Sequence, residues 1–196
     1  MNSKSELNRC PWCLGNDIYE KYHDMEWGNP VTDDSVHFEF LVLESAQAGL
    51  SWLTVLKKRE AYRRLFANFN PEIVASFNQT KIEELLTDSG IIRNRKKIEA
   101  AVRNAAMFLE IQSEFGSFNN YIWQFVDGKP LINHWQNLSQ LPCKTELSDR
   151  ISKDLKKRGF SFLGSTIIYS HLQATGIIND HLISCFRHPD NLIRVQ

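Results

Sequence analysis

Apolar residues recur along this chain at the three-to-four spacing of helices, and punctuation residues mark where each helix should start and stop. Between Val36 and Ala48, Phe40, Leu41 and Glu44 fall on adjoining turns, with Thr32, Asp33 and Asp34 as candidate caps. Gly49 suits the position just past that helix, and Ser51 can cap a further one running from Trp52 to about Phe66. Pro71 opens a short helix over 72–77, and Thr80 caps another over 82–88 that Gly90 ends. A long amphipathic helix follows over 95–114, its stripe made by Ile98, Val102, Ala105, Ala106 and Leu109. Shorter helices are expected over 117–125, 146–158 and 165–175. Asp127-Gly128 resembles a hairpin turn, but Pro130 beside it demotes the flanking apolar run to a loop. With no sustained alternation anywhere, the expected class is all-α. The chain reads as one domain, 1–196, whose N- and C-terminal segments can form one helical lobe and whose middle helices form another.

Composition narrows the classes further. A chain of 196 residues that is 42% hydrophobic can bury a core without disulfides and is too apolar for disorder. Lys plus Arg (23) cancels Asp plus Glu (23), so any contact with nucleic acid must come from a local patch. The polar opening MNSKSELNR has no apolar signal region, and the longest uncharged stretch, about 160–179, is broken by polar residues. No membrane partner is expected. Four Cys without an export signal point to a reducing cytoplasm and to metal binding over disulfides.

Cys and His gather in two distant groups, Cys10-Pro-Trp-Cys13 with His23, and His181-Leu-Ile-Ser-Cys185. On a helix, a His and a Cys four apart share one face, as two ligands of one tetrahedral ion require. Two ligands from each end would close a Cys2His2 site and fasten the first segment onto the last. Spacing leaves Cys10 and Cys13 both open as ligands. A redox CxxC expects a strand before it and a helix after it, and fits this irregular start less well. Cys143, in a loop, stands apart.

Tyr19, Tyr22 and His23 share a helical face, and Trp12 and Trp27 flank it. One such ring is ordinary core; four within sixteen residues, beside short polar neighbours, suggest a pocket wall. Glu44 is the sharper anomaly, because it interrupts the buried-looking run Phe40-Leu-Val-Leu-Glu44-Ser-Ala-Gln47. A carboxylate there must either be paired in a salt bridge or serve a site.

These segments carry a resemblance. Tyr22-His-Asp-x-Glu-Trp-Gly28, Leu43-Glu-x-x-Gln-Ala-Gly-Leu-Ser-Trp-x-Thr-Val-Leu-Lys-Lys-Arg-Glu60, Gly90-Ile-Ile-Arg-x-Arg95 and Leu155-Lys-Lys-Arg-Gly-Phe-x-Phe-x-Gly164 resemble the DNA-3-methyladenine glycosylase I family of bacterial base-excision enzymes. The likeness runs in order from Cys10 to Cys185. It implies an all-α helix-hairpin-helix glycosylase fold with one structural Zn2+ per chain, held by Cys10, His23, His181 and Cys185. It also implies a base pocket of Glu44, the catalytic carboxylate, with Trp52, Tyr19, Tyr22, Trp12, Trp27 and Gln47. Gly49-Leu50 would fill the gap left by a flipped nucleotide, and the hairpin would fall at Gly159–Gly164. Many relatives of that fold use an Asp after the hairpin; here Asp180 is nearby and reads as a buttress or cap. The implied partners are double-stranded alkylated DNA and free 3-methyladenine, bound by a monomer. Arg95, Lys157, Gly159, Gly164 and Ser165 are the expected DNA contacts, while Lys57-Lys-Arg59 reads as a solvated face.

Overall fold

The computed structural model describes residues 7–192; most of the polar opening run lies outside them. Eleven α-helices are present among these residues: α1 Asp17–Met25, α2 Asp34–Gln47, α3 Trp52–Leu56, α4 Arg59–Leu65, α5 Pro71–Ala75, α6 Gln79–Thr87, α7 Arg95–Phe115, α8 Phe118–Trp123, α9 Glu146–Lys157, α10 Ser165–Ala174 and α11 Pro189–Leu192. The all-α expectation holds with one small addition. Leu131–Ile132 (β1) and Ile178–Asn179 (β2) pair in parallel where a loop was expected, through Leu131 N–H to the Ile177 carbonyl and Asn133 N–H to that of Asn179.

Helix α2 is the axis of the molecule, buried continuously from His37 to Ala46. Asp33 caps its start by accepting the Ser35 N–H at 2.8 Å. Neighbouring Asp34 instead accepts the Phe118 and Asn119 N–H groups, both at 2.8 Å, and so fastens α8 to α2. Most apolar side chains form one core between α2, α7, α8, α9 and α10. A second, aromatic cluster joins Cys10, Tyr22, Trp27, Phe40, Leu182 and Cys185 at the junction of the chain's two ends.

Three boundaries differ from the sequence reading. The expected helix from Trp52 to Phe66 is two helices, because the chain turns at Lys57-Lys58 and carries Arg59 to Glu26 and Glu39, both at 2.7 Å. The cap of α6 is Asn78, whose side chain accepts the Lys81 N–H at 3.0 Å, not Thr80. His181 and Cys185 lie on irregular turns, not on a helix. Turn bonds such as Cys185 N–H to the Leu182 carbonyl bring the two side chains together instead. Gly49, with φ +80°, and the Ser51 cap on the Thr54 N–H stand where the pattern placed them. No helix among the described residues is long and apolar enough to cross a membrane.

Candidate functional site

The last turn of α2 opens into a cavity of about 220 Å³ lined by Trp12, Tyr22, Trp27, Glu44, Gln47, Trp52, Leu141, Ser170 and Gln173. That is below the ~300–1,000 Å³ of sites for drug-sized ligands, and matches one flat ring system better than a whole nucleotide. The rings meet mostly edge to face: Trp12 and Trp27 are 5.1 Å apart, and Tyr22 and Trp52 are 5.5 Å apart and tilted. Such contacts stiffen the walls, so the hollow is preformed.

Two glutamates of α2 are buried, and their environments are opposite. Glu39 accepts from Arg59 at 2.7 Å and Arg63 at 2.8 Å, a satisfied ion pair. Glu44 faces the cavity with its Oε2 unpartnered among the described residues, and the Trp52 indole N–H nearby is also unpartnered. Burial raises the Glu44 carboxyl from 4.5 to about 8. The same burial, followed by the nearness of Glu44, keeps the Tyr22 phenol protonated. The pocket therefore offers an unmatched carboxyl and an unmatched N–H among flat apolar faces. A cationic, planar, hydrogen-bonding ligand is the guest that such a set suits.

Tyr19 is not brought to the cavity wall. Its hydroxyl accepts the Leu53 N–H at 2.8 Å at the start of α3, and its ring packs edge-on against Trp12 at 5.6 Å. Leu141, Ser170 and Gln173 were missed by the sequence reading, since their spacing resembles any half-buried helix or loop. Gln173 is aimed by Asp180, which accepts its amide N–H at 2.7 Å along with N–H groups of Asn133 and Trp135, also at 2.7 Å, and the Tyr169 hydroxyl. Asp180 is thus a buttress behind the wall.

Beside the cavity, Gly49 leaves open space around its α-carbon and Leu50 is exposed. Lys97 braces this turn from below, donating to the carbonyls of Ala46 at 2.8 Å and Ala48 at 2.7 Å. The basic residues divide into free and engaged. Lys156 and Lys157 are exposed and form no ion pair among the described residues. Arg158 is held by Asp154 and Glu114, and Arg95 by Glu83 at 2.7 Å. Residues 158–164 connect α9 to α10, and exposed Gly164 gives α10 no side-chain cap, so its leading N–H groups stay available.

Behind Trp27 lies a fully buried cluster of Cys10, His23, His181 and Cys185, whose ligand atoms all fall within 4.8 Å of one another. The Sγ–N separations are 3.7 Å (Cys10–His181), 3.5 Å (Cys185–His181) and 3.4 Å (Cys185–His23). Sulfur and nitrogen ligands on a tetrahedral ion sit about 3.6 Å apart. The outer groups agree. His23 Nδ1 is 2.8 Å from Asp24 and His181 donates Nε2–H to the Trp27 carbonyl at 3.0 Å, leaving His23 Nε2 and His181 Nδ1 as inward lone pairs. Backbone N–H groups of Leu182 and Arg187 point at the two sulfurs, each at 3.4 Å. The cluster could hold a metal ion. Cys13, the open alternative, donates its S–H to the Cys10 carbonyl and faces elsewhere.

A family model described as methyladenine glycosylase matches residues 12–188. DNA-3-methyladenine glycosylase 1 of Escherichia coli (strain K12) is 46% identical over 94% of this chain and 99% of its own. DNA-3-methyladenine glycosylase of Haemophilus influenzae is 46% identical over 90% and 96%. Among solved structures, a 3-methyladenine DNA glycosylase I superposes with a TM-score of 0.90 at 48% identity, covering 93% of this chain and 100% of that one. The enzyme from Staphylococcus aureus, solved to show how it recognises 3-methyladenine, gives 0.90 at 40% identity over 93% and 97%. With sequence, fold and cavity in agreement, this chain belongs to the methyladenine glycosylase family.

Proposed function

We propose that this protein is a base-excision repair glycosylase that hydrolyses the N-glycosidic bond of 3-methyladenine in alkylated double-stranded DNA, leaving an abasic site and the free base. The observation that carries this reading is Glu44, a buried carboxyl without a partner, facing a hollow walled by rings.

Methylation at N3 gives adenine a positive charge. When the C1′–N9 bond breaks, its electron pair passes to the ring and cancels that charge. Water then bonds to C1′ and a proton is released. The base is already a good leaving group, so the enzyme's task is to select it and expose the bond. Flipping exposes a nucleotide that the stack conceals. Stacking of the cation on Trp52 and Tyr22 is worth only about 0.5–2 kcal/mol. Selection against abundant neutral adenine therefore needs Glu44 as well. A cation entering the cavity weakens this carboxyl's hold on its proton, which leaves to solvent, and the resulting carboxylate gives the cation a charge-assisted contact in a dry site. Neutral adenine gains nothing comparable. Once ionised, the carboxylate also favours the positive sugar that develops as the base leaves. Trp12, Trp27 and Gln47 complete the wall, and Tyr19 supports Trp12.

Gly49-Leu50 is the segment suited to fill the vacated stack, next to the cavity mouth and stiffened by Lys97. DNA phosphates would meet Lys157, Gly159 and the open N–H groups at Gly164-Ser165, in a helix-hairpin-helix arrangement. Arg95 would join them after exchanging Glu83 for phosphate. Cys10, His23, His181 and Cys185 would hold one structural Zn2+. Four ligands would fill its shell and leave no position for a reacting water.

The test is to identify the bases released from methylated DNA. Release of 3-methyladenine, with Glu44→Gln folded but losing most of that release, is expected. DNA binding without release of any base would reduce the protein to a binding module and refute the proposal.

A further inference from the structure

We propose a second metal site, formed by His134, His188 and Asp190, that takes a divalent transition ion such as Zn2+ on the surface of the protein. His134 Nε2 lies 3.3 Å from the Asp190 Oδ2, and His188 Nδ1 lies 3.8 Å from the same oxygen. One ligand atom from each residue falls within a common 4.8 Å. Nitrogen and oxygen ligands at ~2.0–2.2 Å from a tetrahedral ion sit about 3.3–3.5 Å apart, so two of the three edges need little adjustment.

The histidines are prepared for this role. His188 is completely buried, and its Nε2–H donates to the Asn133 carbonyl at 3.1 Å. An acceptor-only partner fixes the tautomer, leaving a lone pair on Nδ1 on the side facing Asp190. Among the described residues that lone pair has only the Asp190 backbone N–H, at 3.3 Å, which is longer than an ordinary N–H hydrogen bond. A lone pair and a carboxylate oxygen facing each other at this range repel unless a positive centre lies between them. The backbone around His134 is also held. Asn133 N–H bonds the Asn179 carbonyl, and the Trp135 carbonyl accepts the Ile183 N–H. The Asn133 and Trp135 side chains both reach buried Asp180.

The donor set selects the ion. Two imidazoles and one carboxylate suit Zn2+, Cu2+ or Ni2+, whereas Mg2+ and Ca2+ prefer all-oxygen shells. His134 and Asp190 are exposed, so water completes the coordination. This ion would clip the segment after β1 to the start of α11, a link separate from the Cys/His cluster.

The test is Zn2+ binding to the full chain, by calorimetry and elemental analysis. The unaltered chain is expected to take up a second equivalent that a brief chelator wash removes while the buried equivalent remains. His134→Ala and Asp190→Asn alter exposed side chains, and each should weaken the second phase about 10- to 100-fold or abolish it, leaving the first intact. A chain that saturates at one equivalent would show that His134, His188 and Asp190 hold no ion. Two binding phases unchanged in both variants would place the second ion elsewhere. Either result overturns the proposal.

Discussion

Replacing Glu44 by Gln should make the protein more stable and less active together. Burial lifts this carboxyl from 4.5 to about 8. Its proton is therefore held more tightly in the folded chain than in the unfolded one. The stability that follows is complete below 4.5 and is lost progressively as pH rises towards 8. Each unit is worth about 1.4 kcal/mol, so the loss approaches about 3 kcal/mol near pH 7 and about 5 kcal/mol above pH 8. Gln has nearly the same shape and never ionises. Near pH 4.5 the two proteins should unfold alike, and the variant should gain about 3 kcal/mol at neutral pH. For a chain of this size that is about 6–12 °C in melting temperature. Excision should fall about 100- to 1,000-fold, the usual effect of removing one group that meets developing charge. Calorimetric melts between pH 4.5 and 8.5, with base release from methylated DNA, test both halves. A melting difference that does not grow with pH would mean Glu44 is not isolated, and the argument for its role would fail.

Trp52→Ala should weaken binding of free 3-methyladenine by about 2- to 30-fold, the range of one cation–π contact, with metal content unchanged by elemental analysis. Lys157→Ala should lower the slope of log affinity against log salt for DNA by about one unit, while Arg95→Ala lowers it less because Arg95 first gives up Glu83. Gly28→Ala should loosen the ion proposed for the Cys/His cluster: Gly28 has φ +76°, and an added Cβ would sit 2.9 Å from His181 Nε2. Chelator competition would show this as faster metal loss than in the parent chain.

Helix positions were legible because caps and apolar stripes are local. Asn94 and Asn78 both cap in the same way, yet the pattern alone points to Thr80 for α6, since cap choice depends on where the chain arrives. Glu44 was conspicuous within an apolar run, but Glu39, immediately before that run on the same buried helix, is neutralised by Arg59 and Arg63. Only the turn at Lys57-Lys58 delivers Arg59 to it, and that turn carries no sequence mark. The cluster residues Cys10 and Cys185 were found by type and resemblance. Their proximity rests on tertiary packing, as does the arrival of Ser170 and Gln173 from α10 at the pocket.

Trp27 serves two masters. Its ring closes one side of the hollow, while its carbonyl fixes His181 and its indole stands 4.6 Å from that imidazole. Oxidation of Cys10 or Cys185, or loss of the ion proposed for this cluster, would then reach the pocket wall through Trp27. A perturbation far from the bound base could in this way change how the base is held.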